Sequence, residues 1–207
     1  MMVEESMKQF IQKLASGEPT PGGGSAAAFG GAMAASLSEM VCNLTKGKEG
    51  YEAVQEEVVK EREKLASLRE RLMDIVDEDA GAFDKVMEAF RMPKGSEDER
   101  TRRATAIQEA FRLAASVPME TAEKCMEVME HSVVVAEIGN KNSITDAGSS
   151  ALLAHASLNA ALLNVRINLS GIRDEKFRTE MEKKVEMLET RADRKLKEAL
   201  KIVDGQI

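Results

Sequence analysis

The sequence has no tryptophan, one tyrosine and six phenylalanines in 207 residues. So few aromatics remove the stacking platforms on which single-strand nucleic-acid binders depend. They also leave the core to Leu, Val, Ile, Ala and Met. Positive charge is in deficit: 29 Lys and Arg stand against 36 Asp and Glu, a formal net charge of −7. An acidic chain of this kind is a poor phosphate binder, so no nucleic-acid partner is expected. The two cysteines, Cys42 and Cys125, lie far apart and outside any CxxC pattern, which argues against a zinc site or a disulfide framework. His131 and His155 show no ligand spacing with carboxylates, and no metal is expected. His155, among Ala and Leu, reads as a satisfied core residue.

Long apolar runs are missing too. The most apolar stretch, Ala26 to Leu44, is interrupted by Ser36, Ser38, Glu39 and Asn43, too polar for a membrane span. The first residues, MMVEESMKQF, carry acids where a signal peptide carries bases. A soluble cytoplasmic protein is therefore expected. With only four prolines, helices can run long. An all-β fold is excluded, and no internal repeat or interdomain linker is evident, so residues 1–207 read as a single helical domain.

Six helical segments are legible. The first spans about Val3 to Ser16, with Met7, Phe10, Ile11 and Leu14 at i, i+3, i+4, i+7 spacing. The loop GEPTPGGG (Gly17–Gly24) cannot be helical. Ser25 reads as the N-cap of a second helix reaching about Thr45. Gly30 and Gly31 lie inside that helix at a propensity cost of roughly 1 kcal/mol each, which points to close approach of a neighbouring helix. From Gly50 to about Met92 an apolar stripe persists, and Gly81 is a place where it can bend. Some 40 helical residues span ~60 Å, too long for a compact monomer unless the helix kinks or pairs. Ser96 with Glu99 forms a capping-box pattern for a fourth helix to Gly139, with Pro118 kinking or splitting it. Ser143 with Asp146 gives the same pattern for a helix to about Leu169, and a charged amphipathic segment runs from about Asp174 to Val203. The fold expected is an all-α bundle of long helices, assembled as a homodimer.

Four features carry candidate chemistry. Gly22, Gly23 and Gly24 lead into a helix N-terminus, where exposed N–H groups suit an anion or polar ligand; a plain connector explains them equally. No strand precedes them, so a dinucleotide fold is excluded. Asp79 breaks the stripe Leu72, Ile75, Val76, Phe83 at a slot the period assigns to a hydrophobe, while Asp77 lies about 200° away, toward solvent. A carboxylate buried this way has a raised pKa and suits general acid/base work, although hydrogen-bond donors also explain it. Asp146 is either a cap or part of a polar cluster with Asn140, Lys141 and Asn142. Asn164 and Asn168, at i and i+4, share one face, ready for a planar heterocycle or for bonds across a helix interface.

Several runs in order resemble the formimidoyltetrahydrofolate cyclodeaminase family: FIQKLAS from Phe10, PTPGGGS from Pro19 to Ser25, MVCNLTKGK from Met40, VDEDAGAF from Val76, MPK from Met92, ASVPM from Ala115, Gly139–Asn140 with Asp146, and NVRINL from Asn164. The resemblance spans nearly the whole chain, with no room for the formiminotransferase domain that accompanies this one in bifunctional animal enzymes. It implies an all-α dimer that binds a tetrahydrofolate derivative near the dimer interface, with no other cofactor. The reaction implied is closure of 5-formimidoyltetrahydrofolate to 5,10-methenyltetrahydrofolate with release of ammonia. Related bacterial members act as methenyltetrahydrofolate cyclohydrolases, and a helical dimer without activity is a further alternative. The family's catalytic aspartate falls on Asp79. Binding is expected from Pro21, Gly22, Gly23, Gly24, Ser25, Asn140, Asn142, Asp146, Asn164 and Asn168. Lys46, Lys48, Lys94 and Lys141 are candidates for the carboxylates of the glutamate tail, which can carry several glutamates. A functional link to a formiminotransferase is expected.

Overall fold

The computed structural model describes residues 1–207 as six helices without a strand: α1 (Met7–Leu14), α2 (Gly23–Thr45), α3 (Gln55–Arg91), α4 (Glu97–Ile138), α5 (Ile144–Leu169) and α6 (Glu175–Asp204). Short 3-10 turns at Met2–Glu4, Glu52–Val54 and Lys141–Ser143 precede α1, α3 and α5. The expected bundle of long helices is present.

Helix α2 is the central element, packed on α3, α4 and α5. Its small residues make this possible. A Cβ on Gly31 would lie 2.6 Å from the Cys125 sulfur of α4, and one on Gly30 2.4 Å from the Ser157 hydroxyl of α5. Three serines seal the meeting point of α2, α4 and α5. The Ser38 hydroxyl donates to Ser150 at 2.8 Å, and Ser150 donates to the Ala34 carbonyl at 2.7 Å. Ser132 donates to the Val128 carbonyl of its own helix at 2.8 Å. The surrounding core is aliphatic, with Leu72, Met129, Leu158 and Leu162 fully buried, each stabilising the fold by about 1.5–3 kcal/mol. Both cysteines are buried and free, their thiols pushed up to about 12 by burial.

Helix boundaries follow hydrogen-bond chemistry where the sequence pattern misleads. Helix α1 starts at Met7, because Ser6 and Gln9 form a reciprocal capping box. Of its apolar stripe only Phe10 is buried; Met7, Ile11 and Leu14 are exposed. Helix α2 begins at Gly23 with Gly22 as N-cap, so Ser25 is not the cap; its hydroxyl donates to Asp79 instead. The Ser96–Glu99 box is formed. The Ser143–Asp146 box is not: the Ser143 hydroxyl turns back to the Asn140 carbonyl at 2.9 Å, and Asn140 caps the preceding turn.

Helices α3 and α4 are continuous through Gly81 and Pro118. Proline cannot donate to the carbonyl four residues back, which leaves the Ala114 oxygen without its helical partner. Asn168 of α5 supplies one, its Nδ2 donating at 2.7 Å. Asp77 does not face solvent as its angular position suggests. The N-terminal turn folds over it, and its Oδ1 accepts from the Met2 N–H at 2.7 Å. His155 is not a core residue: half-buried, it meets Asp193 of α6 at 2.8 Å. His131 approaches Glu61 of α3 at 2.6 Å, a pairing seventy residues apart that no local spacing encodes.

Candidate active site

The N-terminus of α2 and the middle of α3 meet at one point. Asp79 lies against the first turn of α2, and its Oδ2 accepts from the Ser25 hydroxyl at 2.9 Å. Contact is so close that a Cβ on Gly24 would lie 2.1 Å from Asp79 Oδ1. Only glycine fits there. Burial drives the Asp79 pKa up from its ordinary 3.8, while the Ser25 hydroxyl and backbone N–H pull it partly back down. The net direction is upward, because no cation is near enough to compensate for lost solvation.

This carboxyl stands on the wall of a cavity of about 440 Å3. Phe83, Val86, Met87 and Phe90 of α3, Phe111 of α4 and Ile167 of α5 supply apolar wall. Pro19, Thr20 and Gly22–Gly24 close one side, and Asn164 and Asn168 add amides from α5. Asp79 is the only ionisable side chain lining it. The amides are oriented by their own bonds. Asn168 commits both N–H bonds to the Ala114 and Asn164 carbonyls, and Asn164 donates to the Ala160 carbonyl at 2.9 Å. Each leaves its Oδ1 as an acceptor for a ligand N–H. Gly23 gives close access, since a Cβ there would lie 3.2 Å from Asn164 Nδ2. An apolar cleft with a few fixed acceptors and one perturbed acid suits a flat, largely uncharged or cationic heterocycle.

A groove of about 840 Å3 between α3 and α4 is larger but chemically spent. Arg71 there is paired with Glu78 and Glu120, and Lys124 with Glu127.

The expected site residues divide into two groups. Asp79, Gly22, Gly23, Gly24, Asn164 and Asn168 line one cavity, with Ser25 bonded to the acid behind it. Pro21, in a cis peptide with Thr20, is buried beneath the loop and does not line it. Lys46, Asn140, Asn142 and Asp146 are gathered at the opposite end of α2. There the Asn140 N–H donates to Thr45 Oγ1 and its side-chain amide to the Leu44 carbonyl. Twenty-odd helical residues separate the two groups, ~30 Å. In one protomer they do not meet. Lys94 stands apart from both groups, in a small basic pocket beside Phe90. The cavity walls Phe83, Phe90, Phe111 and Ile167 escape sequence reading. The one available signal is that Phe83, Val86 and Phe90 follow Asp79 at i+4, i+7 and i+11, on the same helical face.

The family model described as formiminotransferase-cyclodeaminase matches residues 6–187. The chain is 44% identical over 188 residues to a methenyltetrahydrofolate cyclohydrolase of Methylorubrum extorquens, covering 91% of this chain and 90% of that protein. It is 32% identical to a formimidoyltransferase-cyclodeaminase of Gallus gallus over 90% of its own length, but spans only 35% of that longer protein. Among solved structures, a formiminotetrahydrofolate cyclodeaminase from Thermotoga maritima superposes with a TM-score of 0.89 at 36% identity, over 99% of this chain and 98% of that one.

Proposed function

Because this chain belongs to the formiminotransferase-cyclodeaminase family, we propose that it is a folate one-carbon enzyme. It acts at the carbon bridging N5 and N10 of tetrahydrofolate, with Asp79 as proton carrier. The observation that carries this reading is the solitary, partly desolvated carboxyl at the cavity wall, with no cation facing it. The methenyl bridge is an amidinium cation, so a lone carboxylate stabilises it directly and the apolar walls strengthen that attraction.

Water addition is the first form of the reaction. Water attacks the bridging carbon and gives up a proton to Asp79. Protonation of N5, cleavage of the carbon–N5 bond and loss of the hydroxyl proton leave 10-formyltetrahydrofolate, with one net proton released. The 44% identical relative of nearly equal length favours this form. Ammonia release is the second form, favoured by the structural neighbour named as a cyclodeaminase. N10 attacks the carbon of the formimidoyl group in its protonated, amidinium form, Asp79 accepts the N10 proton and passes it to the resulting amino group, and ammonia leaves from the tetrahedral intermediate to give the methenyl cation. The same atom of the same residue serves both, since each needs one proton moved across the bridging carbon.

The assembly we propose is a homodimer through the outer face of α2 and α5. That face exposes Met33, Met40 and Leu44 on α2 and Leu152, Leu163 and Ile167 on α5, and the one acid of α2, Glu39, is occupied by Arg69. A two-fold axis at mid-α2 with the two copies antiparallel brings the Lys46, Asn140, Asn142 and Asp146 end of one copy to the glycine end of the other. The two separated groups, without Lys94, then serve one composite site.

The test is absorbance near the methenyltetrahydrofolate band, with methenyltetrahydrofolate and 5-formimidoyltetrahydrofolate supplied separately. Enzyme-dependent decay with the first establishes water addition. Growth with ammonia release from the second establishes the cyclodeaminase. No change with either overturns the reading.

A further inference from the structure

Helix α2 begins without a side-chain cap of its own, because Gly22 stands at the N-cap position. The first N–H groups of a helix find no partner within it. Here the missing oxygen comes from another helix. Asp79 of α3 accepts from the Ser25 hydroxyl at 2.9 Å through Oδ2, and the Ser25 N–H favours the same carboxylate. Ser25 occupies the third position of α2, too early for its hydroxyl to bond back to a helical carbonyl four residues before it. Ser36, Thr45, Thr121 and Ser149 all bond back in that way. Ser25 is fully buried, does not line the cavity, and gives its one hydroxyl hydrogen to Asp79.

The two oxygens of Asp79 are therefore unequal. Oδ2 holds the hydroxyl, and no side chain donates to Oδ1. The carboxyl lies against the first turn of α2, where a Cβ on Gly24 would stand 2.1 Å from Oδ1 and 2.7 Å from Oδ2. No charge faces it from any neighbouring element. Helix α2 presents Gly23, Gly24 and Ser25, α4 presents Phe111 and Ala114, and α5 presents the amides of Asn164 and Asn168. Along α3, Asp77 is held under the N-terminal turn by the Met2 N–H, and Glu78 is paired with Arg71. Ser25 is thus the one residue that favours the ionised form of Asp79 against burial.

We propose that Ser25 is a positioning residue, which reserves Oδ1 of Asp79 for the transferred proton and sets the lower pH limit of turnover. The proposal rests on the folate reading above. An oxygen already accepting a hydrogen bond is the poorer site for a second hydrogen. The proton taken from water or from N10 therefore goes to Oδ1. The Ser25 bond to Oδ2 survives that step, and the same Oδ1 then gives the proton to N5 or to the departing amino group. The carboxyl need not rotate between the two transfers. Asp79 must start ionised to accept a proton, and the Ser25 bond is strongest in that state.

The experiment follows enzyme-dependent kcat against pH with methenyltetrahydrofolate and with 5-formimidoyltetrahydrofolate. It compares the wild type, Ser25→Ala, Asp79→Asn and the double variant, each checked for folding by circular dichroism. Without the Ser25 donor the ionised carboxyl is less favoured, so Asp79 holds its proton to higher pH. The acid limb of kcat should move up by about one pH unit, the equivalent of one hydrogen bond to a charged group. Turnover on that limb should fall about tenfold, while KM hardly changes, because Ser25 touches no ligand. In the Asp79→Asn background Ser25→Ala should cost little more, since the group it serves is gone. A limb that stays in place, or an equal loss in both backgrounds, overturns the proposal and leaves the folate reaction standing. No turnover of either substrate by the wild type defeats the folate reading instead. The carbon-13 NMR signal of the Asp79 carboxyl, identified by its loss in Asp79→Asn, then decides the role of Ser25. It should titrate at higher pH in Ser25→Ala, and an unchanged midpoint overturns the proposal.

Discussion

Asn168 fills the hydrogen-bonding gap that Pro118 opens in α4, donating to the Ala114 carbonyl at 2.7 Å across the interface between α4 and α5. This bond does two things at once. It lets a 42-residue helix pass a proline without a break, and it fixes an amide on the wall of the cavity. Asn168→Leu leaves a buried carbonyl unpaired and should cost ~1–3 kcal/mol. In a Pro118→Ala background the restored N–H at position 118 refills Ala114, and the same substitution should cost less. Urea denaturation of the four chains gives the coupling directly. A cost for Asn168→Leu that is equal in both backgrounds sinks the explanation.

Asp79→Asn should slow turnover by ~10²-fold or more while preserving folate binding, because the amide keeps the shape and loses the transferable proton. Its effect on stability has the opposite sign. The folded-state pKa of Asp79 is raised, so the native protein binds the proton more tightly than the unfolded chain does. The stability this contributes is complete below the unfolded value near 3.8 and is lost as pH rises through the folded value. At neutral pH the variant should therefore melt higher, by about 2–4 °C for each kcal/mol gained in a chain of this size. That advantage should vanish on acidification. Scanning calorimetry across pH checks it, and an advantage independent of pH would point to packing.

How much of this was legible in the sequence follows from what each signal encodes. Asp79 stood out because a charge interrupted a helical period, and a broken pattern carries information. Phe83 and Phe90 did not, because a hydrophobe on the inner stripe reads the same whether it meets core or a cleft; they are 36% and 45% exposed. Asn164 and Asn168 were legible as a pair, but the use of Asn168 was not, since it depends on Pro118, fifty residues away. Asp77 misled because angular position says nothing of a chain terminus folding over it. Ser143 and Asp146 misled because a capping-box pattern does not say where the serine hydroxyl goes when a nearer carbonyl is available.

Gly24→Ala tests the contact on which the acid depends. Alanine favours a helix, so on propensity alone the change should stabilise α2. The added methyl instead meets Asp79 Oδ1 at 2.1 Å, and one of the two groups must move. Turnover should fall by ~10²-fold, the loss expected when a proton carrier is displaced from its position. Gly17→Ala, with nothing within 4 Å of the new methyl, is the matched control. A fully active Gly24→Ala would show that Asp79 does not need the position observed for it.

Subunit complementation tests whether the two ends of α2 work together. Lys46→Ala combined with Asp146→Asn alters one end of the helix, and Asp79→Asn alters the other. Each protein alone should be nearly inactive if the site draws on both. After unfolding and refolding as an equal mixture, half the dimers carry one chain of each kind. Every such dimer then has one site with both ends altered and one with both intact, so activity should return to about a quarter of the wild type. In a site built within a single protomer, every chain in the mixture keeps its own lesion and refolding restores nothing. A mixture that stays silent, or a Lys46/Asp146 variant that is fully active alone, confines the chemistry to the cavity beside Asp79.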